Sequence, residues 1–204
     1  MPERLRDHWW WRPGMRPGRS MLVWHLLTED RPELRSLARR YRARLAGMPG
    51  LDPVPDAWLH MTTRVVGFAD EIPAAEADAM VSAVTEAFGA LAPITVRIGR
   101  PYLYDEGVAM GIEPEGALDP VREAIDAGVA RTVTAHRLAD QPDWTPHVTV
   151  AYSNTDLPTA PILQALADPP APCRLTVHQA HLVEQVRDGR LYRWDVRASV
   201  PLAG

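Results

Sequence analysis

From residue 21 the chain sets out one order of elements twice, and that order restricts the fold more than any other feature. Short runs rich in β-branched and aromatic residues, bounded by turn formers, read as strands. They are 21–27 (MLVWHLL), 58–68 (WLHMTTRVVGF), 94–100 (ITVRIGR), 108–112 (VAMGI) and 147–152 (HVTVAY). Two more close the chain, 174–186 and 190–200, with Asp188-Gly189 between them as a hairpin turn. Apolar stripes at helical spacing fill the gaps and are read as core. Leu34, Leu37, Tyr41 and Leu45 form the first, and Ala77, Val81, Val84, Phe88 and Leu91, behind Pro73, form the second. Val121, Ile125, Val129 and Val133 follow Asp119-Pro120, and a short helix over 159–167 ends at Asp168-Pro169-Pro170. Strand, helix, strand, helix, strand thus runs from residue 21 and again from residue 108. A shift of 87 positions lays 21–27 on 108–114 and the helix near 33–46 on 120–133, while the last helix overlays only roughly. The residues themselves differ, so the repeat is one of pattern. It predicts two similar lobes, each a sheet covered on one side by helices.

The same shift carries His60 onto His147 and Thr62 onto Thr149, in LHMTT (59–63) and PHVTV (146–150). With seven histidines, about one histidine followed two residues later by Ser or Thr is expected from ordinary composition. Two such pairs on equivalent strands are a stronger signal. Strand alternation puts His and Thr on one face, with Met61 or Val148 on the other. If the lobes face each other about a pseudo-twofold axis, two imidazoles and two hydroxyls surround one small space.

That set suits phosphodiester chemistry. A neutral imidazole takes a proton from the attacking hydroxyl or water, and an imidazolium gives one to the leaving oxygen. Threonine hydroxyls donate to the non-bridging oxygens, where negative charge builds in the transition state. No cofactor is called for. No carboxylate cluster offers to hold a metal, and two histidines without a suitably spaced third ligand do not make a zinc site.

With these motifs, over roughly residues 20–200, the chain resembles the 2H phosphoesterase superfamily, most closely its bacterial 2′-5′ RNA ligase-like branch. The resemblance implies an α+β, bilobal fold: two pseudo-twofold-related lobes, each an antiparallel sheet flanked by helices, around a central cleft. The lobes would span approximately 21–106 and 107–204, behind an N-terminal Trp/Arg-rich arm over 1–20. It also implies metal-independent cyclic phosphodiesterase or 2′-5′ phosphodiester chemistry. His60 and His147 would then be the acid/base pair, and Thr62 and Thr149 the phosphate-binding hydroxyls. In that family the residue after the hydroxyl is usually apolar, as Val150 is, but the first motif has Thr63. Alternation turns Thr63 away from the cleft, where its hydroxyl needs a partner.

Other residues are candidates for the cleft. Continued alternation places Arg64 with His60 and Thr62, either on a substrate phosphate or as a solvated strand-end charge, and sets Ser153 in the matching relation to His147. His25 either lines the cleft or is a buried structural histidine, whereas His136, His178 and His181 are read as surface or structural. Tyr192 and Trp194 are read as core or rim aromatics. Three consecutive tryptophans in HWWWRPGMRPGR (8–19) cannot all be buried in one strand or helix. Trp10, Trp11 and Arg12 either stack on a base and place a guanidinium near phosphate, or belong to a strap over an apolar patch.

Charge bounds the partner. A net charge of -4 argues against a general binder of duplex DNA or long nucleic acid. All 22 basic residues are arginine, and Arg4, Arg6, Arg12, Arg16 and Arg19 face only Glu3 and Asp7 within the first 20. No apolar run is long enough to cross a membrane, and the N-terminus lacks the smooth apolar core of a signal peptide. The single cysteine, Cys173, allows no internal disulfide. The expectation is a cytoplasmic monomer acting on a nucleotide or a short RNA end. The competing readings are a catalytically idle nucleotide- or RNA-binding module and an enzyme of specialised metabolism using the same cleft on a phosphorylated small molecule.

Overall fold

The runs read as strands pair in antiparallel register and divide between two large sheets. The computed structural model describes residues 2–28, 31–134 and 143–203, so the reading of His136 falls outside the described residues. The strands are β1 (Arg4–Leu5), β2 (Ser20–Leu27), β3 (Leu51–Pro53), β4 (His60–Phe68), β5 (Ile94–Tyr104) and β6 (Gly107–Glu113), then β7 (His147–Ser153), β8 (Leu157–Pro158), β9 (Cys173–Val177), β10 (Gln179–Asp188) and β11 (Leu191–Pro201). The helices are α1 (Pro32–Leu45), α2 (Ala74–Phe88), α3 (Asp119–Thr132) and α4 (Ala160–Ala165). α1, α3 and α4 each carry proline in the first turn, where a missing N–H costs nothing.

The fold is α+β, with one sheet ordered β11-β10-β2-β4 and the other β3-β7-β6-β5-β9. Taken from the His60 strand, β4-β2-β10-β11 repeats the order β7-β6-β5-β9, so the 87-residue shift maps β2 on β6 and β4 on β7 as neighbours in both sheets. The sequence limits of the lobes, however, do not describe the sheets. β5, before residue 107, lies in the second sheet, and β10 and β11, well after it, lie in the first. The run 174–186 is accordingly two strands, with the chain crossing between sheets at His178. Side-chain periodicity says which residues share a face; it does not say which sheet a strand joins, because pairing is decided by distant segments.

Helices cover the outer faces. α2 and α3 pack on each other and on β11 and β4, while α1 packs against β7, β9 and α4. α2 and α3 approach closely at Gly128, where a Cβ would sit 2.7 Å from Val84 Cγ2. The apolar stripes expected of α1 and α3 are fully buried. That of α2 is turned slightly, burying Met80, Ala83, Val84 and Phe88 and leaving Ala77 and Val81 at the edge.

Among the described residues the strand register slips at five places, Thr63 and Val66 in β4, Gly99 in β5, Val150 in β7 and Arg197 in β11, and three of them bear on the space between the sheets. Thr63 is an extra residue in β4, between the pairs His25–Thr62 and Trp24–Arg64. Val150 is an extra residue in β7, between Ala109–Thr149 and Val108–Ala151, at the position 87 residues on. Gly99 is the third, in β5, with φ +139° and Pro172 Cα 2.7 Å from where its Cβ would be. Such a bulge leaves one residue unpaired and swaps the faces of everything after it. The buried Thr63 hydroxyl finds its partner there, donating to the Trp24 carbonyl at 2.8 Å. Thr63→Val keeps the shape and removes that donor, so it should lower unfolding free energy in a urea titration by about 1–2 kcal/mol.

Candidate active site

The first bulge decides where Arg64 goes. Past Thr63 the strand is out of phase, and Arg64 pairs in register with Trp24, on the helix-covered face. It is 1% exposed, with Nε 3.7 Å from the Asp126 carboxylate of α3. Arg64 is therefore neither a phosphate ligand in the cleft nor a solvated charge. The second bulge does the same to Ser153, which is buried and donates to the Thr155 carbonyl at 2.6 Å. Tyr152 takes the cleft-facing position instead, paired across from Gly107.

His60 and His147 are held in the same way. Each Nδ1 lies within hydrogen-bond distance of the carbonyl two residues earlier, Trp58 for His60 (2.9 Å) and Thr145 for His147 (2.7 Å). A carbonyl only accepts, so Nδ1 carries the hydrogen and Nε2 is left with its lone pair free. Trp58 and Thr145 are themselves 87 residues apart. β4 and β7 lie against each other, and the Trp144 indole N–H donates to the Thr62 carbonyl at 2.9 Å, tying the approach to β7 onto the His60 strand.

Aromatic rings that alternation had hidden surround both histidines. On the first sheet the Trp194 ring is 4.9 Å from that of His60 and 4.8 Å from that of Trp58. Trp194 and Tyr192, expected as core or rim, thus belong to the site's surroundings. On the second sheet the Tyr102 and Tyr104 rings stand 5.2 and 4.9 Å from His147. The Gly99 bulge puts them there, since without it they would share the buried face of Val96 and Ile98. They have room because opposite them β6 turns Gly107 and Ala109, followed by Gly111, to that face; a Cβ on Gly107 would come 2.7 Å from the Tyr104 hydroxyl. The Tyr104 and Thr149 hydroxyls are 3.1 Å apart. The alternating small and large residues of GVAMGI were the available sign that this strand makes room for something on one side.

His25 is wholly buried, with Nε2 2.8 Å from Gln185 Oε1 and its ring 4.4 Å from that of His60. It is both a structural histidine and the neighbour of His60. In the arm, Trp10 and Trp11 are about half exposed. The Trp10 indole donates to Glu106 at 3.0 Å, the Arg187 guanidinium sits 4.1 Å over Trp11, and Arg12 pairs with Glu106. The arm residue whose charge bears on His60 is one the sequence did not single out, His8.

Burial dominates the electrostatics. Loss of hydration lowers the His60 pKa to about 4; the Trp58 carbonyl opposes this, and charge on His147 or His8 adds to it. Burial also lowers His147, against its bond to Thr145, and lowers His25 well below the usual value, helped by His60. At neutral pH His60 is therefore an unprotonated imidazole with Nε2 available. Burial raises Tyr104 far above the usual phenol range, so it stays a neutral hydroxyl beside Thr149.

A family model described as 2′-5′ RNA ligase superfamily matches residues 28–189 of the chain. Among solved structures, TT0787 of Thermus thermophilus superposes with a TM-score of 0.67 at 22% identity, covering 90% of this chain and 98% of that one. E. coli LigT complexed with 3′-AMP gives 0.68 at 16% identity, covering 91% and 99%. The MHV ns2 PDE domain gives 0.60 at 14%, covering 80% and 98%. No curated protein matches the chain by sequence.

The depressed His60 has a measurable consequence. Its folded-state pKa of about 4 lies below the ordinary value of 6.5, so between those values the unfolded chain binds the extra proton. Stability should fall as pH drops from 6.5 toward 4, His60 contributing on the order of 3 kcal/mol. Denaturation followed against pH should show a flatter slope in His60→Gln; an unchanged slope would mean that His60 is not depressed.

Proposed function

The chain belongs to the 2′-5′ RNA ligase superfamily, and on that premise we propose that it is a phosphodiesterase that opens 2′,3′-cyclic phosphates of nucleotides or RNA ends by two-histidine acid/base catalysis. The observation that carries this reading is the pair of imidazoles, each with Nδ1–H tied to the carbonyl two residues before it and Nε2 left free. The two ends of an in-line displacement need one proton acceptor and one proton donor. The LigT neighbour seen with 3′-AMP supports a nucleotide-sized ligand.

In the proposed reaction His60 Nε2 takes a proton from water as the water oxygen bonds to phosphorus. The bond from phosphorus to one ring oxygen breaks, and His147 Nε2–H protonates that oxygen. His60 leaves the step as imidazolium and His147 as imidazole, and exchange with solvent restores both. The assignment of roles rests on burial: His60 is the more deeply buried and is the poorer holder of a proton, which suits the base. Thr149, buried and bonded to the Tyr104 hydroxyl, would turn its own hydrogen toward a phosphoryl oxygen when Tyr104 donates. Thr62 would serve the other non-bridging oxygen.

Turnover of adenosine 2′,3′-cyclic phosphate should persist in EDTA and fall by about 100- to 10,000-fold in His60→Ala and in His147→Ala. Activity surviving both changes would overturn the acid/base pair, and activity lost in EDTA and restored by a divalent ion would overturn metal independence. The pH profile of kcat/KM reads the free enzyme. It should rise through about pH 4 as His60 loses its proton and fall again below pH 6.5 as His147 loses its own. An optimum above neutrality would contradict these roles.

A further inference from the structure

The family match begins at residue 28, so the arm ahead of β2 lies outside it. The arm nevertheless packs between the two sheets and is fastened to both. To the second sheet the His8 backbone N–H donates at the Ser153 carbonyl of β7 (2.9 Å) and the Trp9 indole donates to Asp52 of β3 (2.8 Å), while β1 pairs with β8 in a small two-stranded sheet of its own. On the first sheet, Arg187, near the tip of the β10–β11 hairpin, lies 5.3 Å over Trp9 and 4.1 Å over Trp11 and reaches the Trp10 carbonyl at 3.4 Å.

The rings between these fastenings form a wall. His8 stacks on Tyr152 with centroids 4.0 Å apart and meets Tyr192 edge-on at 5.5 Å; Trp9 touches both, at 5.3 and 5.5 Å. Tyr152 and Tyr192 are themselves 5.9 Å apart, so the two sheets are bridged there by aromatic contact. This wall stands beside the candidate catalytic residues. Tyr152 follows Thr149 on the cleft-facing side of β7, and Tyr192 is two residues from Trp194, the ring against His60. His8 is close enough for its charge to weigh on His60. Glu106 holds the His8 imidazole at 2.9 Å and also takes Trp10 and Arg12, so the arm is braced from behind.

We infer that the N-terminal arm closes one end of the cleft and restricts the enzyme to phosphodiesters with a long chain on at most one side. A cyclic mononucleotide or a chain-terminal cyclic phosphate meets that condition, whereas an internal 2′-5′ linkage within an oligonucleotide needs both ends open. This rests on the phosphodiesterase reading of the same site, and it adds which member of that substrate class fits.

The test compares adenosine 2′,3′-cyclic phosphate with a tetraadenylate whose single 2′-5′ linkage is the central one, by kcat/KM and by calorimetric titration of adenosine 2′-monophosphate against the tetramer. Three full-length proteins are needed: wild type, His8→Ala/Trp9→Ala, which removes the wall's arm side chains, and Arg187→Ala, which unfastens the arm from the hairpin should the double variant fail to fold. Wild type should favour the small substrate by about 100-fold, and either variant should lose about tenfold of that preference through a gain on the tetramer. Wild type that cleaves or binds the tetramer as well as the mononucleotide would overturn the inference, as would variants that keep the wild-type preference. Binding discrimination that disappears in the variants, with no turnover in any of the three, would uphold the arm's role and overturn the phosphodiesterase reading instead.

Discussion

A strand that holds two polar side chains over a cleft and then rejoins a dry core cannot do so on strict alternation. Its later residues would keep the same faces, and whatever charge the sequence carries would stay in the cleft. One unpaired residue solves this, and both histidine strands have it at equivalent places, Thr63 and Val150. The extra residue returns Arg64 to the helix-covered side, where Asp126 meets it, and brings Tyr152 to the cleft. A third bulge, at Gly99, turns Tyr102 and Tyr104 over β6 toward His147. The lining of the cleft is thus set as much by where the ladder slips as by the motif residues themselves.

Dryness then sets the chemistry. A ring enclosed by His25, Trp58 and Trp194 gives up hydration that a proton would need, which is why His60 is driven to about 4 while its hydrogen bond to the Trp58 carbonyl works the other way. That bond also fixes the tautomer, so the nitrogen that faces away from the strand is the one with the lone pair. The two sites are alike in backbone and unlike in burial. An approximate twofold frame with unequal surroundings is what lets two identical side chains differ in proton affinity, and acid/base catalysis needs that difference.

The arm shows how a shared frame is made particular. Its arginines and tryptophans bind mainly to the protein: Arg12 to Glu106, Arg19 to Asp70 and Glu71, Trp9 to Asp52. A local excess of positive charge in the sequence is therefore largely neutralised in the fold. What the arm sets between the sheets is an imidazole braced by a carboxylate and packed on tyrosines from both of them.

Much of this was legible beforehand. The two HxT strands, their 87-residue separation, the helical stripes of α1 and α3 and the hairpin at Gly189 all follow from periodicities and turn chemistry that act over a few residues. Three matters were decided only in three dimensions. Sheet membership was one: β5, β10 and β11 have ordinary strand patterns that suit either sheet, and long-range pairing sent them to the sheet opposite the expected one. The facing of Arg64, Ser153, Tyr102 and Tyr104 was another, because a bulge leaves no fixed mark in residue type and a single one inverts every later assignment. The placement of His8 was the third. Local sequence determines which face a side chain takes and which conformations the chain between can adopt; it does not determine which distant face will be brought against it, since that depends on the packing of every layer at once.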